Sequence, residues 1–587
     1  MGAGLGGIQG IVTAAAARTP ALGPARSAGS VLPAGMLPLT VTFAALLVAP
    51  ICLLLLYSVW KASFFAVIHV LTPANYLRIL GSPLYSAILL KTLAWSLLAA
   101  AIITVVAFAM AYAMTFRMPV WGPRILVLVM ASLLSSYIVR LYALTTILGT
   151  NGLLNQALMA LRIIDAPLEF LLYGYFAIVI ALVYVYLPMA VLPIYAAMQG
   201  IDRRLVEASR DLGSGPARAF WTVTLPLSMR GVRTAFAFSF ILAASDYVAP
   251  RMVGGLNGQM IGSVIADQFG GASNYPLGAA LSVCMVAGFA VCLGLLFVLE
   301  RALVRLMRVL GRGAGRRMPS LALPWSETVT LAALVFLFSP LLTVLVFSFN
   351  TARNPGLPLE GLTLFWYADV LQRPDFHRVL TTSLLICLFT VLGGLLVGVP
   401  AALTLARRRF ALRRLFGLLV FGPMAMPGVV LGVALLASFV TAGIRLGAIP
   451  TAAAHVLLVT PFIVLVVRAR MDKLPRAIEE AGRDLGAGPG RVFRTVTLPL
   501  LAATLLGAGI LAAAISLDEL LVTNFTIGAQ ATVPVWISSQ MRTGMTPSLN
   551  AVAVMMMAFS LLLIGLASLA VRRRQSTRLV AALGHAA

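Results

Sequence analysis

Twelve stretches of about 20 predominantly apolar residues recur along this chain, and they restrict its fold more than any other feature. They lie near 38–60, 88–114, 124–146, 171–197, 232–253 and 278–299, then near 328–349, 380–405, 414–440, 452–470, 503–525 and 549–571. That length lets a helix cross the hydrocarbon core of a bilayer. Lipid offers no hydrogen-bond partners, so each segment must satisfy its own backbone, which a helix does. The chain is 61% hydrophobic and 10% charged, against about a quarter charged in soluble domains. An all-α integral membrane protein with about twelve spans is expected.

The net charge of +25 could signal a nucleic-acid partner, so its location matters. With the N-terminus on the cytoplasmic side, 32 of the 43 Lys and Arg fall on that side and 11 fall outside or at the outer edge. The 18 acids are spread more evenly. This asymmetry is the positive-inside rule, and it accounts for the charge without nucleic acid. Cys52, Cys284, Cys292 and Cys387 sit in apolar stretches and have neither metal-ligand spacing nor a disulfide framework. The Ala-, Gly- and Pro-rich residues 1–36 read as a disordered cytoplasmic tail. The first span is too long for a signal-peptide core and is expected to stay uncleaved.

A stretch at 207–227, EASRDLGSGPARAFWTVTLPL, returns at 480–500 as EAGRDLGAGPGRVFRTVTLPL, offset by 273 residues and identical at most positions. Six spans followed by a basic linker with Arg301, Arg305, Arg308, Arg312, Arg316 and Arg317 make both halves enter the membrane in the same sense. The chain therefore reads as a parallel duplication, with a transport path expected between halves related by a pseudo-twofold axis along the membrane normal. The expected division is a first six-span half at 37–300, a linker at 301–326, a second six-span half at 327–572 and a cytoplasmic tail at 573–587.

The repeated stretch is too polar to span and lies between the fourth and fifth spans of each half. Asp202 to Leu212 reads as a short helix, with Glu207 and Asp211 one turn apart. Gly213 supplies the stop, and Ser214-Gly-Pro216 can cap and start a second helix, expected to end near Thr222 to Leu225, before Pro226. Glu480, Asp484, Gly486, Pro489 and Pro499 take the same places in the second copy. A helix–turn–helix offered twice on one face is a docking surface for a twofold partner.

Both copies resemble the EAA loop of binding-protein-dependent ABC importer permeases. They carry Glu207-Ala208-Ser209, Gly213 and Leu225-Pro226, and Glu480-Ala481-Gly482, Gly486 and Leu498-Pro499, at that motif's spacing. The resemblance implies a type I ABC importer permease (MetI-like) fold of two parallel six-helix bundles in a bacterial inner membrane. It also implies docking of a homodimeric ABC ATPase on the two loops and a periplasmic substrate-binding protein. No Gly-Lys pair exists for a phosphate-binding loop, so this chain is expected to be neither ATPase nor other enzyme. ATP and Mg then act in the partner, and the chain itself is expected to need no cofactor.

Three acids fall in apolar segments: Asp246, Asp518 and Glu519, with 246 and 519 equivalent under the duplication. Such acids face a path or a partner. They are expected either to attract a cationic substrate or to pair structurally, Asp246 with Arg251 for example. Tyr137, Tyr142, Tyr247 and Trp536 could stack on alkyl amines or anchor span ends. His69, His377 and His455 show no metal-ligand spacing. The stretches 135–144, 246–255, 260–269 and 275–282 look like the first permease of spermidine/putrescine importers, and 516–525 with Ser548 to Ala551 like the second. That implies a polyamine cargo. Ferric iron and aminoethylphosphonate permeases share much of the pattern, and an ion-coupled secondary carrier or a membrane enzyme are the other classes.

Overall fold

A computed structural model of the protein describes residues 33–63, 67–311, 325–352, 359–543, 547–562 and 565. Most of the expected N-terminal tail, linker residues 312–324 and the whole C-terminal tail lie outside the described residues.

Among the described residues, nine helices are long and apolar enough to cross a membrane. They are α1 (Ala34–Val59), α2 (Pro83–Arg117), α3 (Tyr175–Gln199), α4 (Phe220–Ser245), α5 (Tyr275–Ala302), α6 (Ser326–Phe347), α7 (Pro374–Arg407), α8 (Ala448–Asp472) and α9 (Pro489–Asp518). Shorter apolar helices, Gly122–Ala131, Gly428–Thr441 and Pro547–Leu562, occupy the third, ninth and twelfth expected spans.

The third and ninth spans differ from expectation, because they are broken. Helix Gly122–Ala131 passes through a single tight turn and two extended serines, Ser135 and Ser136, before helix Tyr137–Leu148 begins. In the second half the run divides into Arg413–Leu419, Gly422–Ala425 and Gly428–Thr441, with Pro423 and Pro427 at the restarts. Apolar composition hides such breaks, which membranes tolerate only where protein surrounds the freed backbone. Both serines are buried.

In each half, three helices form the packed centre: α2, α3 and α4 in the first, α7, α8 and α9 in the second. Small residues bring these helices close, as expected where lipid removes the hydrophobic drive between spans. Gly394 and Gly398 of α7 form notches for Ile463 of α8; a Cβ at either would come within 2.8 Å of it.

The leading helix of each half crosses to the other half. Met36, Leu39, Phe43 and Leu47 of α1 share one buried cluster with Val397, Leu431 and Ile463 of the second half. The α6 residues Ala333, Leu337 and Val344 join the cluster of the first half. Polar contacts mark both crossings. Tyr57 Oη lies 2.9 Å from Thr441 Oγ1, and Tyr184 Oη donates to the Leu337 carbonyl at 3.3 Å. The two sequence halves are thus interlocked, each completing the other's core.

Candidate functional site

Two polar features interrupt the apolar bundle: the repeated loops, and the meeting point of the two halves at the ends of α4 and α9.

The loops fold alike to within a degree at their key turn. Helix Arg203–Asp211 is matched by Arg476–Asp484, again 273 residues on. Neither helix has a buried residue. Gly213 and Gly486 stand at φ +83° and +82°, where a side chain would be strained. Gly213 N–H donates to the Arg210 carbonyl and Ser214 N–H to the Ser209 carbonyl, and Gly486 and Ala487 repeat the pattern on Arg483 and Gly482. These paired bonds terminate the helix in a Schellman motif. The turn leaves Leu212 and Leu485 standing free, 88% and 89% exposed, beside exposed Glu207, Ala208 and Asp211, or Glu480, Ala481 and Asp484. Ser209 and Gly482 are half-buried. A Cβ on Gly482 would lie 3.4 Å from Val492, so the motif's small residue faces the following helix.

The second loop helix does not end before Pro226, as expected, but runs on into α4. A π-turn, Phe220–Thr224, carries the chain to Leu225 and Pro226, and Phe493–Thr497 does the same before Leu498 and Pro499. Leu225 and Leu498 N–H reach back five residues, to the Phe220 and Phe493 carbonyls. Widening the helix ahead of the proline absorbs its missing donor and its ring. Each loop is therefore continuous with a membrane helix.

The tethers of the loops differ. Arg203 Nη2 donates to the Thr115 carbonyl at 2.9 Å in the first half. In the second, Glu479 pairs with Arg407 at 3.1 Å and accepts from Thr497 Oγ1 at 3.3 Å. Sequence reading passed over Glu479; the Glu479-Glu480 doublet was its signal, since a helix turns adjacent residues about 100° apart.

At the other end, α4 and α9 stop at equivalent acids, Asp246 and Glu519, both in extended backbone. Asp246, fully buried, accepts from Val248 N–H at 2.9 Å and Ala249 N–H at 3.1 Å, capping the next short helix. Its other bonds come from Tyr137 Oη, at 2.7 and 2.6 Å, and Tyr186 Oη at 2.9 Å. Glu519 likewise caps its turn, accepting from Val522 N–H at 3.0 Å and Thr523 N–H at 2.9 Å. His455 bridges Ser516 and Thr523 there, at 2.9 and 2.8 Å. Asp518 reaches across the halves to accept the Tyr137 N–H at 2.7 Å, which places a carboxylate at the start of helix Tyr137–Leu148.

Between the halves lies a cavity of about 190 Å³, lined by Tyr173, Tyr247 and Arg251 from the first half and Leu520, Asn524 and Ser538 from the second, among others. Tyr247 corresponds to Leu520, and Arg251 to Asn524, under the 273-residue offset. Equivalent positions of the two halves thus line one cavity. Of the expected path residues, Tyr247 lines it. Tyr137 joins Asp246 to Asp518 elsewhere in the interface, and Trp536 Nε1 donates to Asp375 at 3.1 Å. Tyr142 is buried in the core of the first half. The expected Asp246–Arg251 pair does not form. Arg251 instead pairs with Asp267, because Asp246 is already filled by four donors. Tyr186, Tyr173, Asn524 and Ser538 went unremarked in the sequence, as uncharged residues within apolar or loop stretches.

A membrane bundle of two interlocked, duplicated halves, with a cavity between them and a polar loop repeated in each half, has the make-up of a transport permease. The chain belongs to the family described as binding-protein-dependent transport system inner membrane components, which it matches twice, at residues 125–309 and 394–579. It is a multi-pass permease of the ABC importer class, with both halves in one polypeptide. It is 31% identical over 248 residues to the putrescine transport system permease protein PotI of Escherichia coli (strain K12), covering 41% of this chain and 88% of the relative. It is 33% identical over 232 residues to the spermidine/putrescine transport system permease protein PotB of Haemophilus influenzae, covering 40% and 79%. The PotB protein of Escherichia coli (strain K12) is 32% identical over 216 residues, covering 37% and 78%. The family match places the chain with ABC importer permeases and not with ion-coupled secondary carriers.

Proposed function

We propose that this chain forms the translocation path of an importer for polyamines of the putrescine and spermidine class. Alternating access is driven by a separate ATPase, a twofold homodimer seated on the two loops, which spends ATP and Mg outside this chain. A periplasmic binding protein delivers the cargo. The loops, linker and both termini face the cytoplasm, the side on which most Lys and Arg gather. The halves are divided as 37–300 and 327–572. The observation that carries the reading is the pair of loops, alike in backbone, exposed in side chain and each continuous with a membrane helix. Polyamine relatives favour this cargo over ferric iron or aminoethylphosphonate.

Glu207→Gln with Glu480→Gln is the direct test, because both side chains are exposed and neither supports the fold. Each charge-assisted bond to a partner contributes about 1.5–3 kcal/mol, so the double variant should lose about tenfold or more of ATP-coupled uptake in proteoliposomes. Insertion and thermal stability should be unchanged. Full coupled uptake would remove the docking assignment. Gly213→Val with Gly486→Val should give the same uncoupling by straining both turns, read as ATP hydrolysed per solute carried.

A further inference from the structure

Arg251 is the one charged side chain among the described residues that line the cavity between the halves. Its guanidinium lies 5.6 Å from the centroid of the Tyr247 ring and pairs with the Asp267 carboxylate. Tyr247 is buried, with its hydroxyl donating across the halves to the Leu521 carbonyl at 3.3 Å. Asp267 sits on helix Ile261–Phe269, which Ser263 fastens to the Tyr247 carbonyl at 3.2 Å. Ring and carboxylate are thus held together by the fold and not by Arg251 alone.

A carboxylate beside an aromatic face is what an alkylammonium needs: one supplies charge, the other a polarisable surface over which the cation sits. Here the chain's own guanidinium takes both contacts. The second half carries Leu520 and Asn524 at the matching places, so neither the aromatic face nor the cation is repeated. The pair is also weakly held, since Asp267 is 64% and Arg251 28% exposed, and an ion pair open to water contributes little. An incoming ammonium can exchange for Arg251 at small net cost.

We propose that Tyr247 and Asp267 form an ammonium subsite at the mouth of this cavity, occupied in the unloaded protein by Arg251 as an internal stand-in for the cargo. The proposal rests on the polyamine reading for its choice of cation. On loading, the cargo ammonium takes the carboxylate and the ring while the guanidinium withdraws into the cavity, so the site is neither left bare nor doubly charged.

Equilibrium binding of radiolabelled 1,4-diaminobutane to the full chain in lipid nanodiscs tests this. Arg251→Asn, which places at 251 the residue found at 524, should tighten binding about tenfold, the scale of one ion pair plus one cation–π contact. Arg251→Gln, a second variant without the cation, should do the same, and Arg251→Lys should stay near wild type. Adding Asp267→Asn to Arg251→Asn should abolish the gain. Unchanged or weaker binding by both neutral variants overturns the proposal, as does a gain that survives Asp267→Asn. Butylammonium and uptake by the assembled transporter separate the two readings. A neutral variant that binds butylammonium while the transporter ignores diamines upholds the subsite and removes the polyamine cargo. Neutral variants that bind neither amine remove the subsite, even where diamine uptake is normal.

Discussion

Asp246→Ala is expected to destabilise the protein by several kcal/mol, because it strips the acceptor from a set of buried donors. The carboxylate accepts from two tyrosine hydroxyls and two backbone N–H groups and is sealed from solvent. Alanine leaves all four donors without acceptors inside the bundle, and each unsatisfied buried group costs about 1–3 kcal/mol. The Val248–Val253 turn also loses its cap, so the damage extends to the cavity wall. Thermal unfolding in detergent, followed by loss of the monodisperse peak, should show a large drop in midpoint. Asp246→Asn should fall between, because its amide keeps one acceptor oxygen but sets a donor against a hydroxyl. An Asp246→Ala protein as stable as wild type would mean that water satisfies these donors and that the acid has no capping role.

The second large effect concerns the approach of α4 to α3. Gly231 leaves so little space that an added Cβ would lie 2.5 Å from the Pro193 carbonyl oxygen and 2.6 Å from Ala197 Cβ. The obstacle is largely backbone, so side-chain repacking cannot relieve it. Gly231→Leu should force α4 away from α3 and exceed the about 1–3 kcal/mol typical of overpacking, abolishing recovery of folded protein from the membrane. Gly507→Leu is the control: it lies in α9, and a Cβ there meets nothing within 4 Å. Equal tolerance of the two substitutions would show that the helices do not pack as described.

Several elements were legible from residues alone because their causes are local. An apolar run of sufficient length needs no partner to declare itself a span, and among the described residues nine such helices stand where the runs predict. The loop turn was also readable: only a residue free of a Cβ suits the left-handed backbone at 213 and 486, and glycine stands at both. The intramembrane acids were found, but not their roles. Asp518 acts on a backbone N–H 381 residues earlier in the chain, and no spacing rule reaches that far. Asp246 was expected either to attract a cationic substrate or to pair with an arginine such as Arg251, and two tyrosines from other helices fill it.

The same distinction separates what each level of description settles about this permease. Sequence alone determined that the chain lives in a membrane, that it is a parallel duplication, and that one polar loop recurs in each half. Those properties follow from transfer of side chains into lipid, from an offset in the chain, and from the dihedral preference of glycine. Only the tertiary structure decided where the third and ninth spans break, which half each leading helix completes, and which side chains face the cavity. Each of these depends on a donor, acceptor or notch supplied by a distant segment, and their energies exist only once the segments have met.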